Sequence, residues 1–288
     1  MAIVFQEVSH VFLPGSPFTT TAIEHIDLTI PDGQFVGIIG HTGSGKSTLI
    51  QHINGLLKPT TGTVTINDLP TAGKGANLMA LRRQVGLVFQ YPEYQLFEET
   101  VERDVAFGPR NLGLPEAEIT ERVYRAMQQV GLPDGAILQR SPFELSGGQR
   151  RRVAIAGVLA MEPSILILDE PTAGLDPRGR EEVLALVADI HRNRGCTVIM
   201  VSHSMDEVAR LADRVLVMNK GVIAIDGTPR EVFARAGELR AMGLDVPAVA
   251  ALCAALRERG MDVPDGMMTL AEVRDFLLPL LGGDGVAR

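Results

Sequence analysis

The sequence predicts an α/β fold organised around a phosphate-binding loop. Three observations predict it. The run Phe35-Val36-Gly37-Ile38-Ile39 is short and apolar, as a buried strand is. It leads into Gly40-His41-Thr42-Gly43-Ser44-Gly45-Lys46-Ser47-Thr48, after which Leu49-Ile50-Gln51-His52-Ile53-Asn54 reads as the start of a helix. Strand, glycine loop and helix, in that order, are the context a phosphate loop needs. A second apolar run, Ile165-Leu166-Ile167-Leu168, ends in Asp169-Glu170, which puts Asp169 beside that loop.

The elements follow in order. Residues 3–8 read as a strand, and 12–18 as a turn-rich loop with two aromatics, Phe12 and Phe18. Ile26, Leu28 and Ile30 alternate with polar residues, as in a half-buried antiparallel strand, and Pro31-Asp32-Gly33 turns the chain into the buried run. Residues 58–62 are another turn, 63–66 a β-branched strand, 78–83 a short helix, and 85–89 a strand ending at Gln90. From 91 to about 160 the pattern is helical over 101–107, 116–130 and 147–160. The breaks read as Gly108-Pro109, Gly113-Leu114-Pro115 and Gly131-Leu132-Pro133. A helical block inside an α/β chain is a subdomain candidate. Residues 178–194 read as a helix with Val183, Leu184, Leu186, Val187 and Ile190 on one side. Residues 197–201 are a buried strand ending at Ser202-His203, and 215–218 with 222–225 flank Asn219-Lys220-Gly221 as a hairpin. Past Gly227 the sheet pattern stops, and 230–235, 246–259 and 269–281 look helical. The division expected is one domain over 1–228 and a helical extension over 229–288.

Bulk composition narrows the function classes. A chain of 288 residues with 45% hydrophobic content can bury a sizeable core, and 5% aromatics without Trp make that core aliphatic. A net charge of −8 argues against a nucleic-acid partner held by a general basic surface. Cys196 and Cys253 stand far apart without a Cys/His cluster, so both are expected to be buried apolar residues and not a metal site or disulfide. The amino-terminal stretch does not read as a secretory signal, and no apolar run reaches the ~18 residues of a spanning helix. Membrane work would need another chain to supply the span.

The loop's chemistry follows from its backbone. Glycines let N–H groups turn inward onto phosphate oxygens, and the next helix points its positive end at the same anion. Lys46 would reach the β- and γ-phosphates, and the Ser47 hydroxyl would hold Mg²⁺. Asp169 can support the cation, and Glu170 can polarise an attacking water as a general base. Leu145-Ser146-Gly147-Gly148-Gln149 opens a strong helical run, so it is a second helix N-terminus with free N–H groups. Ser146 can cap that helix and also donate to phosphate. Two phosphate-binding helix ends in one chain suggest a nucleotide clamped between two subunits.

With these residues in view the chain resembles an ABC-type nucleotide-binding domain. Walker A is 40–48, Walker B 165–170, the signature 145–149, the Q-loop residue Gln90, the D-loop Ala173-Gly174-Leu175-Asp176, and the switch histidine His203. The resemblance implies a P-loop NTPase fold: a RecA-like mixed sheet core, an antiparallel β-subdomain, a helical signature subdomain over about 91–160 and the helical extension. It also implies ATP hydrolysis by two domains paired head to tail, each Walker A facing the other's signature over Mg-ATP. His203 would contact the γ-phosphate. Gln90 would sense it, join Ser47 and Asp169 at Mg²⁺, and relay closure to a membrane partner. Asp176 would link the two sites, and Ser146, Gly147, Gly148 and Gln149 would face the partner's nucleotide. Phe12, or less fittingly Phe18, takes the position of the family's adenine-stacking aromatic.

Within that family, Tyr91-Pro92-Glu93-Tyr94-Gln95-Leu96-Phe97 and Phe107-Gly108-Pro109 resemble the ATP-binding A-components of energy-coupling-factor (ECF) transporters, closest to the second of two paralogues. This resemblance implies an ATPase motor subunit of an importer for vitamins or transition-metal ions. It would sit peripherally on the cytoplasmic face of the cell membrane. Its partners would be a paralogous ATPase subunit or a second copy, a transmembrane T-component and, through the complex, a substrate-binding S-component, with no nucleic acid. A soluble ABC ATPase acting on DNA or ribosomes, or the ATPase of another ABC importer, is the alternative. Residues 91–104 carry Glu93, Glu98, Glu99, Glu102 and Asp104 against Arg103 alone, so an acidic face for basic coupling helices is expected there. Leu252, Leu256, Leu277, Leu278 and Leu281 give the extension apolar faces, which the resemblance assigns partly to dimerisation.

Overall fold

Two sheets and the helices around them position the strand ends that matter. The computed structural model describes residues 2–264, 266–267 and 269–281. Strand β1 (Ala2–Phe12) pairs antiparallel with β2 (Thr20–Pro31), Ile3 opposite Ile30 and Phe5 opposite Leu28. It outlasts the predicted 3–8 strand because register shifts keep His10 opposite Ile23 and Val11 opposite Thr21. β3 (Phe35–Ile39) leads to α1 (Lys46–Ile53), which starts ahead of Leu49 because Gly45 already accepts from the Leu49 N–H. β4 (Thr61–Ile66) pairs with β1, and β5 (Leu69–Pro70), too short to read in sequence, pairs with β4. The resulting antiparallel sheet has the order β2-β1-β4-β5. α2 (Leu78–Gln84) is capped by the Asn77 side chain and runs straight into β6 (Val85–Val88).

The helical block contains a 3₁₀ turn at Pro92–Gln95, then α3 (Val101–Asn111), α4 (Glu116–Gln129), α5 (Gly135–Leu138) and α6 (Gly147–Leu159). Gly108-Pro109 does not break it. A proline near a helix end forfeits one backbone bond, and Leu112 N–H still donates to Gly108 O at 3.1 Å. Gly113, at φ 73°, is where α3 stops. Gly108 serves packing instead, since a Cβ there would lie 2.7 Å from Met161 Cγ.

β7 (Ile165–Asp169), α7 (Pro177–Arg194), β8 (Thr197–Val201), α8 (Met205–Leu211) and the hairpin β9 (Arg214–Asn219)/β10 (Val222–Gly227) complete the second sheet and its flanks. Its order is β10-β9-β3-β8-β7-β6, with every pair parallel except the β9–β10 edge. α8 is about two turns of helix, too short for a periodicity to announce it. It approaches so closely that a Cβ on Gly37 of β3 would lie 2.5 Å from Val208 Cγ1.

The central strands are apolar through their interiors because both of their faces are covered. Phe35 and Ile39 of β3 point into a core shared with the helices, as do Leu166, Leu168, Val198 and Met200. Val36, Ile38, Ile165, Ile167, Ile199 and Val201 point the other way, into a core shared with the antiparallel sheet and α1. Cys196 and Cys253 are buried free thiols, as their isolation in sequence suggested.

Beyond the hairpin come α9 (Pro229–Ala234), α10 (Ala236–Ala241), α11 (Ala248–Glu258) and α12 (Leu270–Leu281). Val232, Phe233, Leu239 and Leu244 still belong to the helix-side core. A separate small cluster then forms around Val249, Cys253, Val263 and Val273, with Leu256 and Leu277 packed on it. Leu252 and Leu278 are exposed, and the side chain of Leu281 lies outside the described residues, as do residues 282–288 of the expected extension.

Candidate nucleotide site

The loop after β3 is built so that its backbone can be reached from only one side. A Cβ on Gly40 would lie 2.4 Å from Met218 O and 2.5 Å from Ser44 Oγ. Gly45 has φ 101°, and a Cβ there would meet Ala22 O at 2.5 Å. The loop is thus wedged between the end of β9 and β2. Thr42, Gly43 and Ser47 are exposed, His41, Gly45 and Thr48 are half-buried, and Ser44 and Lys46 are buried. Lys46 Nζ donates to Gly40 O at 2.7 Å and to His41 O at 3.0 Å, so the ammonium closes over its own loop. Burial lowers its pKa, opposed by the carboxylates of Glu170 and Asp169. His41 contacts Asn219 Oδ1 through Nε2 at 3.2 Å, and Thr48 O is met by the ring of His52 at 2.7 Å. Ser44 Oγ has no partner within the protein. An orphaned buried hydroxyl beside an ammonium and a helix N-terminus fits a phosphate.

Three strand ends meet this loop. Asp169 closes β7, and its carboxyl is pushed up by burial and by Glu170, against the pull of Lys46, His203 and Ser47. A hydroxyl and a carboxylate are the hard oxygen donors a small divalent cation takes. Glu170 is the next residue, at φ 49°, a backbone region that costs a non-glycine residue strain. Its N–H donates to Val201 O at 2.9 Å, which holds it against β8. Its Oε2 accepts from Gln90 Nε2 at 2.8 Å, and its Oε1 lies 2.8 Å from His203 Nε2. The ends of β6, β7 and β8 therefore converge on one carboxylate. A cavity of about 260 Å³ adjoins it, lined by Thr172, Arg180, Ser202, His203 and Glu207 among others.

Phe12 ends β1 opposite Thr20 and is 39% exposed, with its ring edge-on to His10 at 4.5 Å between centroids. Its partner Thr20 lies two residues before Ala22, whose carbonyl faces Gly45 of the loop. Phe18 stands in the β1–β2 loop and is 78% exposed.

The second helix end lies on the helical block. Ser146 and Gln149 form a capping box on α6: the Gln149 N–H donates to Ser146 Oγ, and the Ser146 N–H to Gln149 Oε1. Ser146, Gly147 and Gly148 are exposed, and a Cβ on either glycine would meet nothing within 4 Å. Asp176 caps α7, accepting from Gly179 N–H at 2.7 Å.

Two of the five acids expected to form a face over 91–104 are drawn inward. Glu93 forks onto the buried Arg151, and Asp104 is buried, accepting from the N–H groups of Phe97 and Glu98. Glu99 bonds Arg103, and Glu102 accepts from Gln139. Local charge in sequence says nothing of partners that arrive from elsewhere in the chain. What the block presents beside this segment is an apolar groove of about 530 Å³, with Leu56, Met79, Phe97, Phe107, Leu112 and Met161 on its walls. Three polar residues escaped sequence reasoning: Arg151 is one of three consecutive arginines, and Thr172 and Glu207 sit among other polar residues.

Comparison with known proteins fits this geometry. The model of the ABC transporter family matches residues 23–173. The energy-coupling factor transporter ATP-binding protein EcfA2 of Clostridioides difficile (strain 630) is 53% identical over 287 residues, covering 99% of this chain and 100% of that one. The protein of the same name from Symbiobacterium thermophilum is 58% identical over 283 residues, covering 98% of each. This chain belongs to the ABC transporter family, in its branch of energy-coupling factor ATP-binding proteins. Among solved structures, cbiO1 of Clostridium perfringens, described as part of the ABC transporter complex cbiONQ, superposes with a TM-score of 0.72 at 40% identity, covering 87% of this chain and 97% of that one. The ATP-binding cassette MJ0796, a dimer in a post-hydrolysis state with ADP and Pi, gives 0.69 at 28% identity, covering 79% and 99%. Members of this family hydrolyse ATP to power transport, and the nucleotide their ATPase domain binds is ATP.

Proposed function

We propose that this chain is the ATP-hydrolysing motor subunit of an ECF-type importer of micronutrients, one half of an ATPase dimer that drives a membrane T-component and, through it, an S-component. The observation that carries the reading is the pair of helix ends on one chain. The end after Gly45 has an enclosed loop, while the end after Ser146 is open on the surface with no loop of its own. An exposed anion site of that kind is completed by a second subunit, whether a paralogue or another copy. Among the described residues no helix is long and apolar enough to cross a membrane, so the span belongs to a partner and this chain binds it peripherally from the cytoplasmic side.

In the cycle, residues 40–48 hold the phosphates and Phe12 stacks the adenine. Ser47 and Asp169, with the carboxamide oxygen of Gln90, would hold Mg²⁺. When bound, the cation neutralises developing charge on the phosphoryl oxygens. Glu170 takes the proton of the attacking water. His203 then contacts the γ-phosphate, and Asp176 carries the state of one site to the other. The apolar groove beside Phe97 and Phe107 receives the T-component. The extension from 229 joins the two ATPase subunits, and the ATPase domain proper covers 1–228. The relatives that match this chain along its whole length are transporter subunits, which leaves a DNA- or ribosome-directed role without an observation in its favour.

Glu170→Gln tests the site. It keeps the shape and one hydrogen bond but cannot accept the proton, so hydrolysis by the assembled dimer should fall at least ~100-fold while ATP binding persists and a closed dimer accumulates on gel filtration. Turnover at the wild-type rate would remove Glu170 as the base.

A further inference from the structure

Arg151 is the largest fully buried side chain among the described residues, 1% exposed, one turn into α6. A guanidinium cannot shed its charge, so a buried one must find its partners in the protein. Arg151 finds them on two different segments. Its Nε and Nη2 donate to the two oxygens of Glu93 at 2.9 and 3.0 Å. Its Nη1 donates to Pro171 O at 3.2 Å and to Ala173 O at 2.9 Å. Glu93 sits three residues after Gln90. Pro171 and Ala173 lie between Glu170 and Asp176. The helix that carries Arg151 begins at Ser146. One side chain thus ties together three segments of the site.

The 171–173 segment is gripped from its other side as well. Thr172 Oγ1 lies 3.0 Å from each oxygen of Glu207, a carboxylate only 4% exposed. Ser202, next to His203, donates to the same Glu207 at 2.8 Å, and Arg180 Nε lies 3.5 Å from it. Held on both sides by buried charged groups, this segment has no slack in which to absorb a displacement.

We infer that Arg151 is a positioning residue: it makes the segment after Gln90, the α6 helix and the 171–176 loop shift as one body, so that movement at Gln90 reaches Glu170 and Asp176 together. It touches neither the nucleotide nor the reacting atoms and acts through Glu93 and the loop carbonyls. The inference rests on the residue roles proposed above.

The test uses Arg151→Lys, Glu93→Gln and the double variant, each in the chain assembled with its partner ATPase subunit. Competent sites are counted by titration with a fluorescent ATP analogue. Lysine keeps the charge and loses the fork. We expect kcat per competent site to fall about tenfold or more, with KM and analogue affinity within about twofold of wild type, and the double variant no worse than Arg151→Lys alone. A residue that merely holds the fold together would lower the thermal midpoint and the number of competent sites while leaving kcat per site unchanged; that result overturns the inference. If Arg151→Lys does not fold, Glu93→Gln, which leaves Arg151 on its two carbonyls, decides alone, and wild-type kcat per site refutes it. Failure of the underlying site reading would look different: Glu170→Gln would then turn over normally whatever these variants do.

Discussion

Asp169 and Glu170 are adjacent carboxylates with unlike surroundings. Asp169 is pushed up chiefly by burial and next by Glu170, whereas Glu170 is held from both sides by Gln90 and His203. A buried carboxylate with a raised pKa weakens the empty fold once it ionises. The penalty is absent below the ordinary value of 3.8, grows as pH rises through the raised range, and is complete above it. Asp169→Asn removes it. At neutral pH the nucleotide-free variant should therefore melt higher than wild type, with the gap narrowing as pH falls through that range. With Mg-ATP present the order should reverse, because the variant lacks the cation's carboxylate. Melting curves with and without Mg-ATP over a pH series check both statements; equal melting at all pH values would show that Asp169 carries no such penalty.

At the scale of elements, α6 performs two tasks with the same residue. Ser146 Oγ caps the helix and also lies at its open end. Ser146→Ala should cost the isolated chain about 0.5–2 kcal/mol in denaturant unfolding, the usual worth of such a cap. Ser146→Asp keeps a capping oxygen but brings a negative charge toward the partner's phosphates. It should therefore unfold like wild type and yet lose turnover in the assembled dimer. If it turns over normally, the α6 end does not face a nucleotide. Other elements show where reading by pattern stops. The five-residue apolar runs and the long periodic helix α7 were legible because period and length carry the signal. β5, α8 and α10 were not, being too short to show a period, and α3 ran through Gly108-Pro109 because packing against Met161 outweighed a local break.

At the scale of the whole molecule, the two faces of the central sheet have different uses. One carries the antiparallel sheet and α1; the other carries the helical block and, beside it, the apolar groove. Phe107 is 44% exposed on that groove and stands edge-on to Phe97 at 4.9 Å. Phe107→Asp should sharply reduce recovery of the membrane component with this chain, with ATP binding measured in parallel as the control. Undiminished recovery would take the groove out of the interface. A buried apolar contact of one aromatic side chain is worth about 1.5–3 kcal/mol, enough to be visible in such an assay.

The glycine loop after β3, the carboxylates after β7, the second helix end and the histidine after β8 are legible in the sequence. Each is a local arrangement of backbone freedom and side-chain type, written in consecutive residues. Which charges are already paired depends on how distant segments pack together. Glu93 was one acid among five until Arg151 came to it from 58 residues away, and Thr172 and Glu207 meet across 35. Burial raises the cost of a charge so far that its partner is dictated by the fold, and contacts between distant residues leave no trace in local spacing.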